Sequence, residues 1–188
     1  MTLARGLLVS MGIAALGAAV LFFMGREPIC TCGTIKLWHG EAISSENSQH
    51  ISDWYSPSHM LHGFVLYAFF WLVLRRSSIG LRLALAATFE VAWEIAENTN
   101  TVIEHYREAT IALNYYGDSI LNSMSDIAFM IFGFFLVSRL PVWASILIFI
   151  AAELIVGYFI RDGLILNVIM LLSPQDWIRE WQSLAFKS

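Results

Sequence analysis

Charged residues are scarce in this sequence. Asp, Glu, Lys and Arg make up 14% of its 188 residues, whereas a soluble domain has about 25%. Hydrophobic residues make up 57%, and several apolar runs approach the roughly 20 residues that an α-helix needs to cross a bilayer. The composition therefore excludes an ordinary soluble domain and predicts a multi-pass helical membrane protein.

Several functional signatures are also missing. The net charge is −4 and no basic stripe is present, so there is no basis for nucleic-acid binding. Neither the H-E-x-x-H motif of zinc proteases nor the G-x-S-x-G turn of serine hydrolases occurs. If the protein is an enzyme, water activated by a metal or an acid is a better agent than a serine nucleophile.

Cysteine is nearly absent as well. The two cysteines, Cys30 and Cys32, are separated by one residue. A disulfide over so short a loop is strained, and the Cys/His pattern of a structural zinc site does not surround the pair. Three interpretations stay open: free thiols, a labile disulfide or a metal-sensitive pair. We expect no catalytic role for either residue.

The apolar runs predict an all-α polytopic membrane helix bundle in a single membrane domain, residues 1–188. It has five spans plus a short interfacial or re-entrant C-terminal segment. The first span is interpreted as a retained signal anchor, with a cleaved signal as the alternative. The predicted spans are residues 3–24, 57–74, 81–98, 118–138 and 142–160, with an outer loop at 25–57 and the interfacial segment and tail at 163–188.

Arginines set the predicted orientation. Arg75, Arg76 and Arg82 cluster at one turn, and Arg5 and Arg139 fall on the same side of the membrane if the spans alternate. The positive-inside rule places these residues, and the N-terminus, in the cytoplasm. The expected location is the bacterial inner membrane.

Polar residues inside the predicted spans are the main functional signal. Glu90, Glu94 and Glu97 follow the i, i+4, i+7 pattern, so a helix places them on one stripe. An acid at the centre of a membrane helix costs about 2.5–3.5 kcal/mol on insertion scales. The stripe must therefore face protein, water or a bound ion. His59 and His62, three residues apart, share one face of the preceding span.

A second polar stripe begins the fourth predicted span, where Asp118, Asn122 and Asp126 follow at steps of four. With the predicted orientation, three spans carry polar residues at the same depth on the outer side. This coincidence predicts an outward-facing pocket, and Arg161 could pair with its acids. The pocket is lined by His59, His62, Glu90, Glu94, Glu97, Asn98, Asp118, Asn122 and Asp126.

Imidazole and carboxylate groups are the usual protein ligands of zinc, iron and manganese. We expect a divalent metal, foremost zinc, with four ligands: His59, His62, Glu94 and Asp126. Glu90 or Glu97 would then be the catalytic general base. Two alternatives stay open, because clustered acids can share protons and polar side chains can hold membrane helices together. Asp118 also suits a helix cap.

Three motifs resemble those of a small bacterial family of uncharacterised multi-pass inner-membrane proteins, a domain of unknown function. They are WYSPSHMLHG at 54–63, EVAWEIAEN at 90–98 and GDSILNSMSD at 117–126. The resemblance extends from about Ser48 to Asp162. It implies an integral membrane location and no established activity.

Two hypotheses for the function follow. In the first, the protein is a metal-dependent hydrolase, and its partners are membrane lipids and a lipid-linked or envelope substrate. In the second, it is a non-enzymatic transporter component or membrane assembly factor. The polar cluster is then structural or shares protons.

Overall fold

The computed structural model describes residues 1–110 and 114–184. These residues form eight helices and no strands, which confirms the predicted all-α class. The helices are α1 (Leu3–Phe23), α2 (Ser56–Val73), α3 (Ile79–Glu97), α4 (Asn100–Ala109), α5 (Ile120–Arg139), α6 (Val142–Ile160), α7 (Leu164–Leu172) and α8 (Asp176–Ser183).

Three of the described helices, α1, α5 and α6, are long and apolar enough to cross a membrane. They indicate a membrane protein. Helices α2 and α3 coincide with the other two predicted spans, but α2 carries two histidines, and α3 carries an arginine and three glutamates. The count of five spans therefore stays a prediction.

Glycines allow α2 and α5 to pack backbone against backbone. A Cβ atom added to Gly63 would collide with backbone atoms of Met130 and Phe134, and one added to Gly133 would collide with the backbone of Met60. Close approach through small residues is how membrane helices gain van der Waals contact when lipid removes the hydrophobic drive to associate. The pairing holds the N-terminal half of α2 against the middle of α5.

Helices α1 and α3 pack in the same way and run in the same direction. Gly6 contacts Gly80 near their starts, and Gly17 contacts Val91 further along. The terminal amine of Met1 donates a hydrogen bond to Ser78 Oγ at 2.9 Å. The N-terminus therefore lies beside the arginine-rich turn between α2 and α3, which is the arrangement that the positive-inside pattern requires.

An apolar core fills the space between α2, α3 and α5, on the side of the bundle near the arginine-rich turn. Its buried members are Phe70, Leu83, Ala86, Ala87, Met130 and Phe134. Helix α6, by contrast, exposes large apolar side chains along its length, including Trp143, Leu147, Leu154 and Tyr158. An apolar surface of this extent suits lipid. The polar residues of α2, α3 and α5 are therefore left at the opposite end of the bundle.

A separate short helix, α4, follows α3. Helix α3 ends at Glu97, and Thr99 begins α4 by accepting a hydrogen bond from the Val102 N–H at its Oγ1, at 3.4 Å. A threonine at this position satisfies one of the free N–H groups of the new helix. Helix α4 can therefore turn back across the polar end of the bundle.

Helix α7 is too short to cross a bilayer. Glu153 of α6 accepts hydrogen bonds from the N–H groups of Leu164 and Ile165 at 2.9 and 3.0 Å. A carboxylate there suits the positive end of the helix dipole. Glu153 therefore caps α7.

Candidate functional site

The site lies between α2, α3 and α5 at the end covered by the outer loop. His59 and His62 lie one turn apart on α2, and both rings face Glu90 of α3. Glu90 Oε1 lies 2.9 Å from His59 Nδ1 and 3.0 Å from His62 Nδ1, and its Oε2 lies 3.0 Å from His62 Nδ1. Glu90, which is 2% exposed, therefore fixes both imidazoles.

Two further acids flank His59. Glu94 Oε1 lies 3.3 Å from His59 Nδ1, the nitrogen that already contacts Glu90. Asp126 Oδ2 lies 3.8 Å from His59 Nε2 on the other side of the ring. Glu94 and Asp126 are 1% and 4% exposed. We call His59, His62, Glu90, Glu94 and Asp126 the histidine cluster.

The carboxylates in and beside this cluster are incompletely bonded. The 3.3 Å approach of Glu94 Oε1 to His59 Nδ1 is an ion-pair distance without a hydrogen bond. Among residues 1–110 and 114–184, no hydrogen-bond partner is found for either oxygen of Glu94, for Asp126 Oδ1 or for Glu97 Oε2. Burial of an ionised carboxylate without compensation costs several kcal/mol. These acids must therefore either carry protons or bind a cation.

The predicted ligands do not form one group of four in the structure. Three of them belong to two groups of possible metal ligands. Ligand-type atoms of His59, His62 and Glu90 lie within 4.8 Å of one another, and so do those of His59, Glu94 and Glu97. The first set is already paired internally. The second contains the unpartnered oxygens of Glu94 and Glu97, so one imidazole and two carboxylates there fit a divalent transition ion. Asp126 joins neither set.

A small cavity of about 40 Å³ opens beside the cluster. That space holds an ion or a few water molecules. Its lining includes His59, His62, Trp93, Glu97, Asp118 and Asp126 from the helices that carry the predicted pocket, together with Tyr55, Tyr106 and Asn167.

Asn98 organises the neighbouring polar group. Its Nδ2 donates to Asp118 Oδ2 at 2.8 Å and to the Glu94 carbonyl at 3.0 Å, and its Oδ1 accepts from the Asp118 N–H at 2.7 Å. Tyr115 donates its hydroxyl to Asp118 Oδ1 at 3.0 Å.

The start of α5 continues this polar group. Ser119, rather than Asp118, caps the helix, because Ser119 Oγ accepts from the Asn122 N–H at 3.1 Å. Ser119 Oγ also donates to the Gln49 carbonyl at 3.0 Å, and Asn122 Nδ2 donates to the His50 carbonyl at 2.9 Å. We call Asn98, Tyr115, Asp118, Ser119 and Asn122 the amide network. It attaches the outer loop to the bundle.

Arg161 lies apart from both groups. Its Nη1 donates to the Trp181 carbonyl at 2.7 Å, and its guanidinium carbon lies 5.6 Å from the centre of the Trp181 ring. The expected pairing of Arg161 with the pocket acids is therefore not what the structure shows. The reason is local, because Arg161 ends α6 in a left-handed conformation with φ of 52°.

Asp162 makes the tertiary contacts instead. It accepts hydrogen bonds from the Gly163 N–H at 2.9 Å and from the Tyr55 and Tyr106 hydroxyls at 3.2 and 3.5 Å. Burial raises the pKa of Asp162 to about 6, and these three donors oppose the rise.

Sequence reasoning missed the aromatic and amide wall of the cavity. Tyr55 directly precedes α2, so its neighbourhood to the histidines was a usable signal. Tyr106 and Asn167 lie on α4 and α7, and Asn167 Nδ2 donates to the Tyr106 hydroxyl at 2.8 Å. Helical periodicity in the sequence gives no indication that two short helices, α4 and α7, line the same cavity.

Comparisons with known proteins place the chain in one family. The profile described as "Protein of unknown function (DUF2585)" matches residues 21–184. A UPF0314 protein of Paracoccus denitrificans is 58% identical over 171 residues, 91% of this chain and 89% of the relative. A UPF0314 protein of Sphingopyxis alaskensis is 49% identical over 178 residues, 95% of each chain.

A third relative, a UPF0314 protein of Sinorhizobium fredii, is 52% identical over 177 residues, 94% of this chain and 90% of the relative. No solved structure matches the chain. Within the described residues, the family profile covers helices α2 to α8 and only the last three residues of α1. The chain therefore belongs to the bacterial DUF2585 family, as its three motifs predict.

Proposed function

We propose that this protein is a five-span protein of the bacterial inner membrane, with a cytoplasmic N-terminus, that binds a divalent cation between α2 and α3. His59, Glu94 and Glu97 would hold the ion. Both oxygens of Glu94 and Oε2 of Glu97 carry this proposal, because they are buried and lack a hydrogen-bond partner within the described part of the chain. A cation satisfies both carboxylates at once. Zinc is the first candidate for this donor set.

Glu90 orients the histidines without being one of the proposed ligands. Its carboxylate contacts both His59 Nδ1 and His62 Nδ1, and this contact fixes the orientation of the His59 ring. Carboxylates that orient a ligating imidazole in this way raise its basicity, and their loss typically weakens metal binding 10- to 100-fold. In the predicted assignment Glu90 was a candidate base; its two contacts favour a positioning role.

The activity that fits such a site is hydrolysis of a lipid-linked or envelope substrate. A bound divalent ion lowers the pKa of water and polarises a carbonyl or phosphoryl oxygen. Asp126 lines the cavity with one unpartnered oxygen, so it could accept the proton that such water releases. A cavity of about 40 Å³ admits the reacting group alone, and the remainder of the substrate would stay outside.

A non-enzymatic role in transport or assembly is the second candidate. The amide network supports it, because the side chain of Asn98 is hydrogen-bonded to Asp118 and the amide of Asn122 is hydrogen-bonded to the outer loop. In that role the acids of the histidine cluster would carry protons in place of an ion. A metal measurement separates the two candidates.

The test is elemental analysis of the full chain, purified in detergent without reductant and dialysed against a zinc buffer. We expect near-stoichiometric zinc in the wild type and in Glu104→Gln, an exposed control on α4. The His59→Ala/His62→Ala variant should lose it. A wild type without metal, or a double variant that retains it, would refute the cation site and favour proton-carrying acids.

A further inference from the structure

The outer loop contains a second group of metal-ligand residues, remote in sequence from the first. Cys30, Cys32, Glu46 and His50 each place one ligand-type atom within 4.8 Å of the others. Cys30 and His50 are buried, at 2% and 0% exposure, whereas Cys32 is exposed. Two sulfurs, one imidazole and one carboxylate make up a donor set that zinc and similar thiophilic ions accept.

In the structure the two cysteines form a disulfide. A disulfide sulfur lacks the negative charge that makes a thiolate a metal ligand. The four residues therefore cannot bind an ion together in this redox state. Reduction would supply two thiols at the same place, without any need to bring distant segments together.

The surroundings suit thiolates. The Cys32 N–H donates to Cys30 Sγ at 3.2 Å, and Thr34 Oγ1 lies 3.1 Å from Cys32 Sγ. Gly33 makes this turn possible, since it has φ of 74° and its N–H donates to the Cys30 carbonyl at 3.0 Å. Backbone and hydroxyl donors to sulfur lower the cost of holding negative charge there.

Charge and orientation on the other side of the group are also consistent with a cation. His50 Nε2 lies 3.0 Å from Glu46 Oε2, and Lys36 Nζ donates to the same oxygen at 2.5 Å. Two thiolates and one carboxylate exceed the charge of a divalent ion by one, and the Lys36 ammonium balances it.

The loop that carries these residues is fixed to the bundle. The amide of Asn122 donates to the His50 carbonyl at 2.9 Å, and the Ser119 N–H donates to the Ser48 carbonyl at 3.0 Å. His50 therefore keeps its place when the disulfide opens.

We propose that Cys30, Cys32, Glu46 and His50 form a second cation site, specific for a thiophilic divalent ion, that opens when a dithiol reduces the disulfide. In that step the dithiol is oxidised to its own disulfide, and two electrons and two protons pass to Cys30 and Cys32. Binding of the ion then displaces the two thiol protons. The site does not depend on the cation proposed between α2 and α3.

The test uses Co²⁺ as a spectroscopic probe on the full chain in detergent. The protein is reduced with dithiothreitol, exchanged anaerobically into buffer without reductant, and titrated with Co²⁺ beside an oxidised sample. We expect saturable near-ultraviolet sulfur-to-cobalt charge-transfer absorption in the reduced protein alone. Added Zn²⁺ should abolish it.

Variants assign the ligands. Cys30→Ser/Cys32→Ser should lack the absorption, whereas His59→Ala/His62→Ala should retain it, which separates this site from the one between the helices. Loss of a ligand in Glu46→Gln or His50→Ala should weaken Co²⁺ binding by roughly tenfold or more. Absence of the absorption in the reduced wild type, equal uptake by oxidised protein, or unchanged affinity in both ligand variants would overturn the proposal.

Discussion

The histidine cluster and the amide network both contain buried carboxylates at the same end of the bundle, yet they differ in how completely their polar atoms are hydrogen-bonded. In the amide network, the Asp118 carboxylate accepts hydrogen bonds from the Asn98 amide and the Tyr115 hydroxyl, and the Asp118 N–H donates to Asn98 Oδ1. In the histidine cluster, by contrast, Glu94 has two oxygens for which the described residues provide no hydrogen-bond partner.

We interpret this difference as one between structural and functional polar residues. A buried group whose bonds are complete contributes to stability, and its removal leaves partners unsatisfied. A buried group whose bonds are incomplete is held in place by the rest of the fold at a cost, and such groups concentrate at functional sites. Similar positions on helices therefore do not imply similar roles.

Asn98→Ala should have the largest effect on stability. It removes both the donor to the Asp118 carboxylate and the acceptor of the Asp118 N–H. Loss of the donor to Asp118 Oδ2 and of the acceptor of the Asp118 N–H in a buried site lowers the free energy of unfolding by on the order of 3 kcal/mol. Thermal unfolding in detergent should show a Tm several degrees below that of the wild type.

Asn100→Ala is the matched control for this substitution. Asn100 is exposed and accepts one bond from Arg26 at 3.3 Å, so its loss should change the free energy of unfolding by about 0.5 kcal/mol or less. If the two alanine variants unfolded at the same temperature, the interpretation of the amide network as the group that stabilises the fold would be wrong.

Much of the fold could be predicted from the sequence, because burial in lipid leaves a strong mark on composition. The long apolar helices begin and end within about two residues of their predicted limits, as for α6 at Val142–Ile160. Helix α3 also ends at Glu97, one residue before its predicted limit. The separate helix α4 beyond it could not be predicted, since a cap such as Thr99 and a polar continuation look alike. The number of spans also stays open, because the polar residues that mark the site dilute the hydropathy of α2 and α3.

The site could be predicted in part for a related reason. Helical periodicity brings Glu90 and Glu94 to one stripe and His59 and His62 to one face, and the structure pairs those faces. Periodicity carries no information on the outer loop, whose backbone carbonyls accept the Asn122 amide and the Ser119 hydroxyl. For that reason Asn122 was grouped with the pocket, although its side chain binds the loop.

Asp162 provides an intermediate case outside the spans, a buried acid with complete hydrogen bonds but a raised pKa. Its pKa is about 6 in the folded protein against an ordinary 3.8, so between these values the folded state binds more protons than the unfolded state. Stability should therefore fall as pH rises through this window. From pH 5 to pH 7 the loss is about 1 kcal/mol.

Asp162→Asn should remove that dependence, because the amide oxygen can still accept from the Gly163 N–H and the amide group can donate to the Tyr55 hydroxyl. The measurement is Tm at pH 5 and pH 7 for both proteins. The wild type should unfold at a lower temperature at pH 7, and the difference should shrink in the variant. Equal pH dependence in the two would show that Asp162 titrates normally.

Glu94→Gln should have the smallest effect on stability and the clearest effect on function. Glu94 Oε1 lies 3.3 Å from His59 Nδ1, but neither oxygen of Glu94 has a hydrogen-bond partner within residues 1–110 and 114–184. In metal-free protein, where no bound ion contributes to stability, a neutral amide of the same shape should therefore leave Tm unchanged or raise it, as substitutions at strained functional sites often do. Zinc content should nevertheless fall. Glu90→Gln, one turn earlier on α3, is the matched contrast, since Glu90 contacts two imidazoles at 2.9 and 3.0 Å and its loss should lower Tm. If Glu94→Gln destabilised the protein as much as Glu90→Gln while zinc content stayed at the wild-type level, Glu94 would belong with the structural residues, and the distinction between the two regions would fail.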